Sequence, residues 1–126
     1  MFRHLDHIGI AVQDLDRAVR RVEEVLGLKA AVIEEIEDQQ VRAALIPMPV
    51  GRFELLEATS PESGVARFLD RRGEGMHHVC FAVDNIQTAR HRISSNGGQM
   101  IQEEPREGLT GIVDFVHPKS TGGVLT

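Results

Sequence analysis

The chain repeats itself: two stretches with the same pattern of residues lie 71 residues apart, one around His7 and one around His78. Further positions keep this spacing: Leu15 with Ile86, Ala18 with Ala89, Arg21 with Arg92, Val22 with Ile93 and Gly27 with Gly98. Self-similarity at a fixed spacing is typical of a duplicated structural unit. Because each copy has a strand pattern followed by a helix pattern, the repeat predicts an α+β fold. We expect duplicated βαβββ modules that form a cleft-bearing mixed sheet.

Each copy places large and small side chains on opposite faces of its first strand. The large residues are Ile8, Ile10 and Val12 in the first copy and Val79, Phe81 and Val83 in the second. The other face carries a histidine followed by small residues: His7, Gly9 and Ala11, then His78, Cys80 and Ala82. A helix pattern follows each strand, after the capping residues Asp14 and Asn85, and can cover the large face. The small face therefore predicts a cavity with a histidine from each copy.

We interpret residues 1–126 as a single domain, because a chain of this length can bury one core but not two independent ones. Module one covers about residues 1–60 and module two about residues 75–126. A short helix predicted at 64–71 joins the modules. The later strands are predicted at 28–36, 41–47 and 52–57 in module one and near 99–104 and 111–116 in module two.

Glu54 adds a carboxylate to the two histidines and completes a set of residues that indicates metal binding. Glu54 lies between Phe53 and Leu55 in a strand pattern, and burying it is costly unless a cation or hydrogen bonds compensate. With His7 and His78 it gives two nitrogens and one oxygen, a set suited to a first-row divalent ion. Each of these residues taken alone is more often hydrogen-bonded or exposed than a ligand. The duplicated positions of the two histidines favour the metal site.

Composition argues against several classes of function. The net charge of −5 and the absence of Trp and Tyr argue against a partner made of nucleic acid. No apolar run approaches the roughly 20 residues that cross a bilayer, so we expect no membrane partner. The single cysteine, Cys80, excludes an intrachain disulfide and favours a cytoplasmic protein.

Five segments carry recognisable motifs: Asp6–Val12, Phe53–Glu57, Ser60–Ser63, Gly73–His78 and His117–Ser120, the last followed by Gly-Gly-Val-Leu. Together they resemble the vicinal oxygen chelate superfamily, which includes glyoxalases, and within it the methylmalonyl-CoA epimerase family. The first segment is common to the whole superfamily. The Gly-Met-His-His element and the ending from His117 onward are more specific and favour the epimerases.

The resemblance implies metal ligands at His7, Glu54 and His78 for a divalent ion, namely Co²⁺, Mn²⁺, Ni²⁺ or Zn²⁺. The family's fourth ligand is a Glu directly after the Gly-Val-Leu-x run. This sequence ends at Thr126, where that Glu would follow, and we expect the full-length chain to continue. That Glu is also the family's best candidate for one catalytic group, so no catalytic residue is assigned within the present sequence.

The activity that the resemblance implies is epimerisation of methylmalonyl-CoA, by removal and return of the C2 proton through a metal-stabilised enolate. The acyl-CoA substrate would contact Gln39 and Lys119, and Arg71, Arg72, Arg106 and Lys119 could meet its phosphates. One alternative is a glyoxalase I-like lyase with a similar metal set. Another is a metal-free protein of the same fold that binds a small molecule. Small members of this superfamily commonly pair, so we expect a homodimer.

Overall fold

The computed structural model describes residues 1–126 and confirms the predicted α+β fold class. The first half comprises β1 (Phe2–Ala11), α1 (Leu15–Leu26), β2 (Val32–Ile36), β3 (Val41–Pro47) and β4 (Arg52–Ala58). The second half comprises α2 (Gly64–Arg72), β5 (Gly75–Val83), α3 (Ile86–Ser95), β6 (Arg106–Glu107) and β7 (Ile112–Val113). Short 3₁₀ turns lie at Glu37–Gln39 and Pro118–Ser120. None of the helices combines the length and the apolar character that spanning a membrane requires.

Five strands form a mixed sheet in the order β2-β3-β4-β1-β5. The two repeated strands, β1 and β5, lie side by side and antiparallel, whereas β4 runs parallel to β1 on its other side. In this register His7 lies opposite Cys80, and Gly9 lies opposite His78. Residues directly opposite each other in adjacent strands share a face of the sheet. Both histidines of the repeat therefore project from the same face.

The second half has less regular strand structure than the sequence predicted. The patterns near 99–104 and 111–116 predicted two full strands, but the structure has only the two-residue strands β6 and β7 in this region. A single bridge joins Met100 to Val116, and another joins His78 to Leu125. The first half therefore shows the complete βαβββ order, and the second half follows the same course with short or isolated pairings.

A side chain of α3 accounts for part of this irregularity. Arg90 donates hydrogen bonds to the backbone carbonyls of Gln102 and Glu103, which would otherwise be available to a neighbouring strand. The same guanidinium forms a salt bridge with Asp114. Pro105 follows this segment and has no N–H to contribute to a ladder. These contacts hold the segment as a bend against α3.

Helix α1 covers the face of the sheet that carries the large residues. Asp14 caps the helix by accepting a hydrogen bond from the Arg17 N–H, and Gly27 ends it in the left-handed conformation at φ 70°. Glu57 on β4 accepts a further hydrogen bond from the Leu15 N–H, at 2.6 Å. The core on this face consists of Val12, Leu15, Ala44, Ile46 and Leu55. The prediction that a helix packs on this face is correct.

Helix α2 covers one end of the opposite face. Ser63 caps this helix through the Ala66 N–H, and its apolar residues Val65 and Leu69 point toward the sheet. The core that they complete consists of Ala11, Val41, Ala43, Leu56, Val65 and Leu69. The other end of this face lies beyond α2, and it is the end that carries the repeated histidines.

Candidate metal centre

Three buried side chains meet on this face of the sheet: His7 from β1, Glu54 from β4 and His78 from β5. These residues are only 5%, 6% and 4% exposed, respectively. Ligand atoms from all three lie within 4.8 Å of one another. The two histidine Nε2 atoms are 3.2 Å apart, and the Nε2 of His7 is 3.4 Å from a carboxylate oxygen of Glu54. The structure thus brings together the three residues that the sequence proposed as ligands.

The electrostatics of these residues fit a divalent cation. Burial lowers the pKa of His78 to about 3, with the neighbouring His77 and His7 acting in the same direction, so its imidazole is neutral at neutral pH. Burial raises the pKa of Glu54, because a carboxylate in a poorly solvated position is costly to ionise. A cation would compensate that cost. Two imidazoles and one carboxylate form a donor set that first-row divalent ions accept.

Gly9 makes room for the His78 ring. A Cβ atom at position 9 would lie 2.1 Å from Cε1 of His78 and 2.4 Å from its Nδ1. Any side chain at this position would therefore overlap the imidazole. The corresponding residue of the second copy is Cys80, which lies opposite His7. The repeat is thus asymmetric, because only the first copy must leave this space empty.

A β-bulge at His77 changes the direction of the side chains in β5. The pairing with β1 goes from Gly9–His78 to Ile10–Met76, so His77 is an extra residue without a partner of its own. Strict alternation along β5 would place His77 on the face opposite His78. Instead its Nδ1 is 3.0 Å from Nδ1 of His78. His77 is outside the ligand set, but it provides a polar neighbour for the ring nitrogen of His78 that faces away from His7.

Asp6 orients His7, the other histidine of the site, through a hydrogen bond. Its carboxylate accepts a hydrogen bond of 2.8 Å from Nδ1 of His7 and forms a salt bridge with Arg52. Burial alone would raise the pKa of Asp6, but the hydrogen bonds from His7 and Arg52 outweigh it, and the pKa is lowered. With the proton on Nδ1, the lone pair of His7 is on Nε2, the atom that faces Glu54 and His78. Such an outer carboxylate orients a metal-binding histidine.

We expect Asp6→Ala to weaken binding of Co²⁺ by about 10- to 100-fold, the usual effect of removing an outer partner of a ligand. The variant loses the acceptor that fixes the His7 tautomer, but all three ligand side chains remain. Cobalt titration followed by absorption spectroscopy measures the affinity. The matched control is Asp16→Ala, which also removes an aspartate paired with an arginine, Arg42, but on the surface at α1. Equal affinity in both variants would contradict this role for Asp6.

Cys80 lies beside these groups as a protonated thiol. A second set of ligand atoms within 4.8 Å of one another comprises Asp6, His7 and Cys80. Burial and, to a smaller extent, the nearby carboxylates of Asp6 and Glu54 raise the pKa of Cys80 to about 11. The thiol is therefore a small, weakly polar part of the cavity wall, as the sequence suggested.

A cavity of about 440 Å³ adjoins the three ligands. Its polar wall includes His7, Glu54, His78, Asp6 and Arg52. Its apolar wall comes from β5, from α3 and from the segment around β7. This volume and this mixture of apolar wall and few polar groups are typical of small-molecule sites.

The two residues proposed for substrate contact lie in different environments. Gln39 lines the cavity, and its side-chain amide donates a hydrogen bond of 3.2 Å to the Glu107 carbonyl across the cleft. Lys119 lines neither this cavity nor the larger one next to it. Its backbone N–H donates to Nδ1 of His117 within the 3₁₀ turn. The structure therefore puts Gln39 close to the site and leaves Lys119 on the surface.

Strand register relates the last residues of the given sequence to β4 of the first half. In the first half Gly9, two residues after the repeated histidine, lies opposite Glu54 in a parallel pair. In the second half His78 itself lies opposite Leu125, also in parallel. The residue two positions after His78 would therefore lie opposite position 127, directly after Thr126. This register agrees with the position at which the family resemblance implies a fourth ligand.

Sequence reasoning missed the roles of Asp6, Gly9 and His77. Asp6 directly precedes a predicted ligand, and that adjacency was a signal that could have found it. The need for glycine at position 9 depends on the His78 ring packing across β1, which the pattern of β1 alone does not reveal. The contact of His77 depends on the bulge, which interrupts the alternation used to assign faces.

Residues 6–115 match the profile of the Glyoxalase/Bleomycin resistance protein/Dioxygenase superfamily. The ethylmalonyl-CoA/methylmalonyl-CoA epimerase of Cereibacter sphaeroides is 34% identical over 128 residues, which cover 99% of this chain and 96% of that protein.

Solved structures show the same similarity. One is a Streptomyces coelicolor methylmalonyl-CoA epimerase variant in complex with 2-nitronate-propionyl-CoA, with a TM-score of 0.96 and 34% identity. Another is a methylmalonyl-CoA epimerase in complex with methylmalonyl-CoA and NH₄⁺, with the same TM-score of 0.96 and 34% identity. Each comparison covers 100% of this chain and 92% of the other.

Proposed function

Because the chain belongs to the Glyoxalase/Bleomycin resistance protein/Dioxygenase superfamily, we propose that it is a methylmalonyl-CoA epimerase, an isomerase that inverts C2 of its substrate. The relative from Cereibacter sphaeroides and the two solved structures, all epimerases, support this proposal. One of those structures holds methylmalonyl-CoA. In this chain the observation that carries the proposal is the buried group of His7, Glu54 and His78 beside a cavity of about 440 Å³.

The proposed reaction is a proton transfer at C2 of the substrate. C2 of methylmalonyl-CoA lies between a thioester and a carboxylate, and its proton is a weak acid. Removing that proton places negative charge on the thioester oxygen, and returning a proton to the opposite face inverts the centre. A site for this reaction needs stabilisation for the charge and a proton-transfer group on each side of C2.

His7, Glu54 and His78 would hold a divalent ion, and Co²⁺, Mn²⁺, Ni²⁺ and Zn²⁺ suit this mixture of nitrogen and oxygen ligands. When bound, the ion would supply Lewis-acid stabilisation for the negative charge of the enolate. The side chains around the ligands keep the two imidazoles in the form that can coordinate a cation. Asp6 fixes the His7 tautomer, and the low pKa of His78 keeps that imidazole neutral at neutral pH.

The proton-transfer groups are only partly assigned in this proposal. The glutamate expected after Thr126 is one of them, and strand register supports its approach to the same face as Glu54. The second group has no assigned residue. Cys80 is a weak candidate for a base, because burial raises the pKa of its thiol to about 11 and leaves it protonated at neutral pH.

The direct test is exchange of the C2 proton. We expect the full-length protein to convert one epimer of methylmalonyl-CoA into the other in D₂O and to incorporate deuterium at C2, because inversion requires exchange with solvent. Nuclear magnetic resonance or mass spectrometry measures the label. We expect removal of divalent ions with a chelator to stop the exchange and added Co²⁺ to restore it.

The same assay distinguishes the alternatives. Conversion of the hemithioacetal of methylglyoxal and glutathione, without exchange on methylmalonyl-CoA, would replace this proposal by the glyoxalase I-like lyase. Tight binding of a small molecule with no exchange, in protein that contains no metal, would favour the metal-free binding protein. Exchange that persists unchanged after chelation would refute the metal-assisted mechanism and leave the epimerase activity standing.

We propose that the repeat forms a single domain with two modules, of about residues 1–60 and 75–126. A homodimer is proposed because Phe2, Leu5 and Phe81 expose apolar surface on the adjacent strands β1 and β5. A cytoplasmic location is proposed because Cys80 is a free thiol.

A further inference from the structure

His7 belongs to two different sets of possible metal ligands. One set is the candidate metal centre, which it forms with Glu54 and His78. The other set comprises Asp6, His7 and Cys80, whose ligand atoms also lie within 4.8 Å of one another. We refer to these three residues as the Cys80 cluster. The cluster offers one oxygen, one nitrogen and one sulfur to a cation.

The pairing of β1 with β5 brings the Cys80 cluster together. Cys80 lies directly opposite His7 in the antiparallel register, so the two side chains are neighbours on one face of the sheet. Asp6 precedes His7, and its Oδ2 is 2.8 Å from Nδ1 of His7. A zinc-sized ion holds its ligand atoms roughly 3.5 Å apart, at metal–ligand distances of about 2.0–2.3 Å. Small side-chain rotations therefore bring these three atoms around one ion.

The surroundings of the Cys80 cluster suit a cation. All three residues line the cavity of about 440 Å³, which gives an ion and its water ligands a path of entry. Arg52 contacts Oδ1 of Asp6 and leaves Oδ2 on the side of His7. The carboxylate of Glu54 lies nearby, at 3.4 Å from Nε2 of His7. Two carboxylates thus face a single guanidinium, and a cation would balance the charge of the second carboxylate.

The sulfur atom determines which ions the Cys80 cluster suits. Thiolates select soft cations, whereas the imidazoles and the carboxylate of the candidate metal centre suit harder first-row ions as well. When a thiol coordinates, its proton leaves to solvent and a metal–sulfur bond replaces the S–H bond. We propose that the Cys80 cluster is a second cation site, which takes thiophilic divalent ions and competes with the candidate metal centre for His7.

The competition follows from the chemistry of the shared imidazole. A neutral imidazole has one nitrogen with a proton and one nitrogen with a free lone pair. Binding at the candidate metal centre uses the lone pair of Nε2 and keeps the proton on Nδ1, next to Asp6. Binding at the Cys80 cluster uses Nδ1, so the proton moves to Nε2. A thiophilic ion at the cluster therefore withdraws His7 from the candidate metal centre and inhibits any activity that needs an ion there.

The test is titration of the metal-free protein with Cd²⁺, a soft divalent ion. Cys80 is the only cysteine, so a thiolate-to-cadmium charge-transfer band in the ultraviolet reports coordination by Cys80. We expect this band in the unchanged protein and no band in Cys80→Ala. We expect Asp6→Ala to weaken Cd²⁺ binding by about tenfold or more, since even the outer partner of a ligand is worth about 10- to 100-fold. The matched control, Asp16→Ala, should bind Cd²⁺ as tightly as the unchanged protein.

Two variants separate the Cys80 cluster from the candidate metal centre, and neither readout needs epimerase activity. His78→Ala removes a ligand of the centre only, so the cadmium–thiolate band should persist. Cys80→Ala removes a ligand of the cluster only, so its affinity for Co²⁺ should be unchanged.

The competition for His7 has its own measurement. Cd²⁺ should displace bound Co²⁺ from the unchanged protein at concentrations that leave Co²⁺ bound to Cys80→Ala. Equal displacement from both would overturn the competition. Absence of the band, or its loss in His78→Ala, would overturn the second site. A band with unchanged Cd²⁺ affinity in Asp6→Ala would mean that the thiol binds without the carboxylate, and it would overturn the second site too.

Discussion

His78→Ala is expected to abolish binding of Co²⁺ and to reduce exchange of the C2 proton to the uncatalysed rate. The variant removes one of the two imidazoles from a site with three ligand side chains, and Glu54 and His7 alone leave most of the coordination to water. His78 also lines the cavity of about 440 Å³, so its loss changes the wall of that cavity next to the ligands. Cobalt absorption spectra and deuterium incorporation measure the two effects.

Two further histidine variants show whether the loss is specific. His91→Ala removes an exposed histidine from α3 and should change neither metal binding nor exchange. His77→Ala removes only the outer neighbour of His78, so we expect a smaller loss of metal affinity, of about 10- to 100-fold. Thermal unfolding of each variant shows that it is folded. Full activity of folded His78→Ala would refute the metal mechanism.

The repeat made the position of the two histidines predictable. Duplicated strands that each follow the same face pattern can pair with each other, and the antiparallel pairing of β1 with β5 brings His7 and His78 onto one face. Glu54 was predictable from its phase in β4, because a carboxylate between Phe53 and Leu55 points away from the core that these two residues form beneath α1. Helices α1, α2 and α3 follow capping residues visible in the sequence: Asp14, Ser63 and Asn85.

Other features depend on contacts between residues that are distant in sequence. The salt bridge between Asp6 and Arg52 joins residues of β1 and β4, and neither strand pattern indicates it. The hydrogen bonds from Arg90 to the carbonyls of Gln102 and Glu103 prevent a strand that local propensity favours. Such effects arise from tertiary context, which overrides local strand preference.

The local electrostatics also depend on contacts between residues that are distant in sequence. The sequence shows that four arginines lie at 67, 71, 72 and 106, but it also contains 19 acidic residues that could neutralise them. Only the fold, which places α2 and the segment around β6 along one cavity, shows that these four arginines line the same space. Charge counted along the chain therefore gave individual candidates for phosphate contact, whereas the grouping of the arginines is a property of the fold.

Gly9→Ala is expected to reduce kcat for epimerisation by about a hundredfold, the scale of loss that follows from displacing a catalytic group by about 1 Å. The new Cβ would lie 2.1 Å from Cε1 of His78, so the imidazole must leave its present position beside His7 and Glu54. Overpacking at a buried site also costs about 1–3 kcal/mol of stability. Steady-state kinetics, cobalt titration and thermal unfolding measure the three effects.

A matched glycine tests whether the loss comes from the collision with His78. A Cβ at Gly64, the first residue of α2, would have only the end of the Arg67 side chain within 4 Å, at 3.9 Å. Gly64→Ala should therefore keep metal affinity and kcat unchanged. If the collision explains the defect of Gly9→Ala, introducing Gly9→Ala into the His78→Ala variant should cost no further stability, because the ring that the new Cβ meets is then absent. Normal cobalt affinity in Gly9→Ala would mean that the ring moves without cost, and Gly9 would then have no part in positioning His78.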